Sequence, residues 1–319
     1  MDMTKKRPQF TPPWWLKSRH LQSCFNTLFP PQAKSLLLWE ELELPDGDFV
    51  DLCWAGSDHA AKIVVLLHGL EGSVDSHYIQ STMDGLVASG WRCVVMHFRT
   101  CSGRLNRLPR SYHAGETGDL HYLIEVLQHR HPNCLISAVG FSLGGNVLLH
   151  YLAQEPQSPL RCAVAVSVPF ELNSCANYLS RFYQWNLLRT MKQKADAKIK
   201  AGYDMPVNAK ELSAIHDFYH FDDAVTAPLH GFGSASDYYE KVSIRSKLKK
   251  INHPTLIIHA LDDPLVPADC VPHDSELPTT ARLELQKQGG HVGFVQGQPW
   301  HPVYWLTDRI LEFLKNSRW

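Results

Sequence analysis

The chain has 319 residues, 44% of them apolar and 20% charged, with a formal net charge of −1. That balance suits a globular protein with a large buried core. It excludes the basic excess of a nucleic-acid binder and the acid-rich composition of a disordered tail. Eight cysteines, at 24, 53, 93, 101, 134, 162, 175 and 270, form no CxxC pair. Several lie in apolar runs, where a thiol behaves as a small hydrophobe, so a reducing, cytoplasmic setting is expected rather than a disulfide framework.

The N-terminus is basic, but prolines and Trp14-Trp15 follow it where a signal peptide would have its apolar core. The longest aliphatic runs fall far short of the roughly 20 residues a bilayer span requires. No transmembrane segment is expected, while peripheral contact with a membrane stays open. Residues 1–38 are read as an extension packed on the body, with WWLKSRHLQSCFNTLF as a short amphipathic helix. Residues 40–54 predict a hairpin turning at Asp46-Gly47. Continuous apolar runs then alternate with helical spacings. Strands are predicted at 63–67, 93–98, 135–139 and 161–168, and helices at 79–87, 120–127 and 146–153. Such runs, separated by amphipathic helices, imply a mostly parallel sheet covered on both faces. The alternation stops at Pro169 and resumes with strands at 255–260 and 282–286 and a helix over 303–315. The interval from about 170 to 250 is read as a helical lid inserted into a single domain spanning 1–319. Its basic residues at 181, 189, 192, 194, 198 and 200 are expected to form a solvated face, with an anionic headgroup site as the alternative.

Gly140-Phe141-Ser142-Leu143-Gly144 matches G-x-S-x-G between a buried strand and an apolar helix, the context of a nucleophile elbow. A serine hydroxyl is a weak nucleophile and needs a base held in place by an acid. In an α/β-hydrolase fold the chain order is Ser, Asp or Glu, His. Here Ser142 is followed by Asp262-Asp263, after the strand TLIIHA, and then by His291 in GGHVGF. Each residue ends a predicted strand, at the edge where open α/β sheets carry their sites. Asp263 is preferred over Asp262 because it precedes Pro264, which favours an extended backbone there. Two N–H groups should complete an oxyanion hole: Leu143, and Leu70 (or Gly69) in the loop His68-Gly69-Leu70-Glu71-Gly72. No grouped ligand pattern calls for a metal, and no cofactor is implied.

Landmarks spread over residues 20–294 make the chain resemble the YheT-like hydrolases of bacteria and their eukaryotic ABHD relatives, within the α/β-hydrolase superfamily. They include HLQS at 20–23, LPDGDFVDL at 44–52, HGLEGS at 68–73, HFRTCSG at 97–103 and GETGD at 115–119. GFSLGGN at 140–146, DDAVTAPLHGF at 222–232, DYY at 237–239, PTLIIHALDDP at 254–264 and GGHVGF at 289–294 continue the series. Thr100 departs from the pattern, which has glycine in FRGCSG. The resemblance implies a carboxylesterase-like activity on a small-molecule acyl ester, with Ser142, Asp263 and His291 as nucleophile, acid and base. Acyl transfer or thioester cleavage by the same residues is the alternative enzymatic reading, and a non-catalytic binding protein the remaining one.

Overall fold

The computed structural model describes residues 10–29 and 34–317. Positions 1–9 and 30–33 of the expected N-terminal extension lie outside the described residues. In the rest of that extension, Ser18 caps α1 (Arg19–Leu28). A hairpin of β1 (Leu38–Glu43) and β2 (Phe49–Ala55) follows, turning through Asp46-Gly47. Gly47 takes a φ of 82°, open to glycine without the steric cost of a side chain.

Strands and helices then alternate: β3 (Lys62–Leu67), α2 (His77–Ala88), β4 (Arg92–Met96), α3 (Gly118–Arg130), β5 (Leu135–Phe141), α4 (Leu143–Gln154) and β6 (Ala163–Val166). Between β6 and β7 (Thr255–Ala260) the chain forms α5 (Leu172–Tyr178), α6 (Arg181–Lys200), α7 (Ala209–Ser213), α8 (Phe218–Phe221), α9 (Ala227–Leu229) and α10 (Ala235–Val242). It closes with β8 (Ala281–Gln286), a small hairpin of β9 (Val295–Gln298) and β10 (His301–Tyr304), and α11 (Trp305–Asn316). That last hairpin has no counterpart in the sequence reading. Its four-residue strands, with Gly297 and Pro302 inside them, carry no alternating pattern.

The eight-stranded sheet has the order β1-β2-β4-β3-β5-β6-β7-β8, parallel from β4 to β8 and antiparallel at the β1–β2 edge. Period-two alternation decides which face each side chain joins. Ile63, Val65 and Leu67 of β3 pack with Leu120, Leu123 and Leu127 of α3 and Val147 of α4. Val64 and Leu66 point the other way, into a second core with Ile79 and Met83 of α2 and Ile310 and Leu314 of α11. Residues from α6 to the segment after α8 build a small core of their own around Leu188, Leu212, Ile215 and Phe221.

Three of the sequence landmarks meet at one buried guanidinium. Arg99 donates from Nε and Nη2 to the two Asp119 carboxylate oxygens at 2.9 and 2.7 Å, and from Nη1 to Asp46 at 2.8 Å and Asp48 at 2.9 Å. A buried cation needs that many acceptors to compensate its lost hydration. The cluster therefore ties the β1–β2 turn to the loop after β4 and the start of α3. Within the same loop Thr100 holds a φ of 71°. A β-branched residue is strained there, which accounts for glycine in the family pattern. The substitution keeps the left-handed turn and bears its strain.

Candidate active site

β5 delivers Ser142 through a turn so tight that its φ is 52° and its ψ −119°. The glycines around it are demanded by contact. A Cβ on Gly140 would lie 2.4 Å from Gly144 O, and one on Gly144 would lie 2.4 Å from His68 O. The Ser142 N–H donates to Val166 O at 2.8 Å, which fixes the turn to the neighbouring strand. At this turn the hydroxyl stands at the N-terminus of α4, where unpaired N–H groups favour negative charge.

His291 comes to this hydroxyl on the loop after β8. Its Nε2 is 2.9 Å from Ser142 Oγ, and its Nδ1 is 2.8 Å from Asp263 Oδ2. Asp263 is buried, and its other oxygen accepts from the N–H groups of Leu265 (2.8 Å) and Val266 (3.1 Å). Burial by itself would push this carboxyl up. The charge and hydrogen bond of His291, with help from Leu265, hold it below the usual carboxylate range instead. Asp262 points elsewhere and accepts from the Gly290 N–H at 2.9 Å, bracing the histidine loop.

The sequence reading missed the other braces on that loop. Gln22 of α1 accepts from the Val295 N–H (2.8 Å) and donates to Val295 O (2.9 Å) and Leu16 O (3.0 Å). Ser23 Oγ accepts from the His291 N–H at 2.8 Å, and Ser167 Oγ from the Val292 N–H at 3.1 Å. A Cβ on Gly290 would meet Arg19 O at 2.5 Å, so α1 lies directly against the loop. The HLQS landmark was the available signal, although nothing in its composition says what it holds.

The sequence profile described as the alpha/beta hydrolase fold matches residues 62–298. The chain belongs to the α/β-hydrolase family. It is 42% identical over 317 residues to the candidate esterase YheT of Escherichia coli (strain K12), covering 96% of this chain and 93% of that one. It is 30% identical over 273 residues to the monoacylglycerol lipase of Saccharomyces cerevisiae, 81% of this chain but 60% of the relative. To the human phospholipase ABHD3 it is 28% identical over 315 residues, 94% of this chain and 76% of that one. Among solved structures, the esterase Pf2001 of Pyrococcus furiosus superposes with a TM-score of 0.57 at 18% identity, over 98% of this chain and 99% of that one. That likeness is one of fold alone.

In this α/β hydrolase the Gly69 N–H is taken by the Tyr78 hydroxyl at 2.9 Å and the Glu71 N–H by the Tyr112 hydroxyl at 2.8 Å. The Leu70 N–H between them, and that of Leu143, meet no acceptor among the described residues. Leu70 and Leu143 line the same cavity as Ser142 and His291. His68, at the root of the loop, is buried, which pushes its imidazole down to about 3 and keeps it neutral. Its Nδ1–H donates to Gly69 O at 2.7 Å while Nε2 accepts from the Phe98 N–H at 3.1 Å, so this ring shapes the loop.

The basic run of α6 fits neither of its two sequence readings as a whole. Lys192 donates to Ser213 O (3.0 Å) and Ile215 O (2.7 Å), and Lys198 to the carbonyls of Leu108, Pro109 and Arg110. Lys194 pairs with Glu71 at 3.0 Å and donates to Cys101 Sγ at 3.1 Å. Lys194 and Lys198 clamp α6 to the body, while Lys192 ties it to the end of α7 and the residue two beyond it. For Lys192 and Lys198 the ammonium is drawn to carbonyls left unpaired beneath the packed helix. The exposed Lys200 pairs with Asp196, so only Arg181 and Arg189 of the run stay exposed without a carboxylate partner among the described residues.

The cavity measures about 170 Å³, comparable with the roughly 150 Å³ apolar void that takes up a benzene ring. Leu172, Leu179, Leu187, Met191 and Phe221 contribute to its wall. At its edge the buried Asp222 accepts from Thr226 Oγ1 at 2.6 Å and from the Tyr239 hydroxyl at 2.7 Å. Burial raises its carboxyl from the ordinary 3.8 to about 6 against the pull of those two bonds. The folded state therefore keeps a proton that the unfolded chain has lost between these values, and stability falls as pH rises through that window. Relative to Asp222→Asn, the parent is expected to lose about 2 kcal/mol between pH ~4 and pH ~6. Denaturant unfolding at both pH values measures it.

Proposed function

We propose that this hydrolase cleaves carboxylic esters through an acyl-enzyme formed on Ser142. The continuous hydrogen-bonded chain from Ser142 Oγ through the His291 ring to Asp263 is the observation that carries the reading. His291 Nε2 takes the serine proton as Oγ attacks the ester carbonyl, and Asp263 stabilises the resulting imidazolium. The developing oxyanion is met by the N–H groups of Leu70 and Leu143. The proton on Nε2 then passes to the leaving alcohol. Water, deprotonated by the same nitrogen, frees the acid and restores Ser142. The names of YheT and of the yeast lipase support ester cleavage by a relative of this chain. The eight unpaired cysteines support a reducing, cytoplasmic setting. Among the described residues no helix is long and apolar enough to cross a membrane.

The domain is read as one α/β unit in which residues 170–250 form a lid that selects the acyl chain. Support comes from the apolar lid residues that share the cavity with Ser142. Filling that space with Met191→Trp is expected to lower kcat/KM for long-chain p-nitrophenyl esters by about 10- to 100-fold, the value of a few excluded methylenes. The acetate ester should change by less than about threefold, because its acyl group never reaches the wall. A uniform loss across the ester series would count against a selective lid.

A further inference from the structure

We propose that α1 with the segment before it, the outer face of α6 and the β9–β10 turn form one docking surface for an anionic phospholipid bilayer. Large apolar side chains stand in water across these elements: Trp14 is 73% exposed, Phe29 64%, Phe182 63%, Trp185 60% and Trp300 80%. Scattered singly, such residues need no explanation; here contacts join the elements that carry them. Trp15 donates from Nε1 to Gly297 O in the β9–β10 hairpin and packs edge-on against Phe25, which packs against Phe29. On the other side of α1, His20 stacks on Tyr183, the neighbour of Phe182. Phe182, Trp185 and Arg189 recur at helical spacing and form one stripe along α6.

Charge names the occupant. The chain carries 32 acidic residues, yet none falls within 10–29, 172–195 or 287–304. The exposed cations Lys17, Arg19, Arg181 and Arg189 belong to these stretches, and none has a carboxylate partner among the described residues. Arg19 donates to the Tyr178 hydroxyl at 2.8 Å, and the Arg189 guanidinium lies over the Trp185 ring. Ahead of Phe10 the sequence adds Lys5, Lys6 and Arg7 against one acid, Asp2. Aromatic rings interleaved with unpaired cations suit the headgroup layer of a bilayer rich in anionic lipid. A second copy of the chain on this face would set cations against cations, which disfavours a symmetric dimer. The inner side of α6 lines the cavity through Leu187 and Met191, so docking would bring lipid beside the site.

Co-sedimentation of the full chain with vesicles tests this. Vesicles of phosphatidylcholine with phosphatidylglycerol are expected to bind the protein, pure phosphatidylcholine vesicles far less, and high salt to weaken binding. Phe182→Ser combined with Trp185→Ser should lower binding by about tenfold or more. It should leave the melting temperature and the rate on a soluble acetate ester at parent level. Ser142→Ala should bind as the parent does, which separates docking from the ester-cleaving reading. Absence of binding to the anionic vesicles, or equal binding by parent and double variant, would overturn the proposal. So would a dimer that the two substitutions dissociate, since a second copy would then cover this face.

Discussion

Ser142→Ala is expected to reduce kcat on any ester by at least about 10⁴ and to abolish labelling by a fluorophosphonate. The fold should survive, because the hydroxyl touches His291 whereas the turn itself is held by the Ser142 N–H on Val166 O. Alanine meets the same left-handed φ of 52° as serine, so the substitution adds little new backbone strain. The residual rate should reflect whatever the Leu70 and Leu143 N–H groups do for a carbonyl attacked directly by water. Intact-mass analysis of the labelled parent and peptide mapping decide the matter. A label on any other serine would remove Ser142 from the role of nucleophile.

The second large effect is expected at Asp263. Asp263→Asn should lower kcat by up to about 10⁴, the loss known for an orienting aspartate in a Ser-His-Asp hydrolase. The reason lies in the hydrogen-bond directions. The oxygen facing Leu265 and Val266 accepts from two N–H groups, so the amide of an asparagine would keep its carbonyl there. Its NH2 would then face His291 Nδ1 and force the ring proton onto Nε2. A protonated Nε2 cannot accept the Ser142 proton. Asp262→Asn retains an acceptor for the Gly290 N–H and should cost about tenfold or less. Parallel kinetics on the two folded variants test the assignment, and the reverse ranking would transfer the acid to Asp262.

Much of this arrangement was legible along the chain because each relevant residue follows a strand, directly for Ser142 after β5 and through a short loop for Asp263 after β7 and His291 after β8. Buried parallel strands read as apolar runs, and the residue that follows such a run stands at the sheet's C-terminal edge. Ser142, Asp263 and His291 could therefore be placed on one edge without coordinates. Their order along the chain did the rest. The Asp262–Asp263 choice rested on Pro264, and only the side-chain directions separate a carboxylate 2.8 Å from His291 from one on Gly290. Gln22 and Ser23 were visible as part of HLQS but not as supports of a loop some 270 residues away. Contacts at that separation leave no periodic trace in the sequence.

What the sequence determined by itself is the layered α/β architecture, the glycine-lined turn at Ser142 and the place where the strand–helix alternation stops. These features follow from local rules of periodicity, turn geometry and strand burial, which act over a few residues. Tertiary structure alone decided the rest: which lysines of α6 turn inward onto carbonyls, which backbone N–H groups beside Ser142 stay free, and how α1 braces the histidine loop. The same carbonyl, amide or ammonium meets a protein partner or water according to what the fold packs against it. For a polar group that choice is settled by long-range packing rather than by its neighbours in the chain.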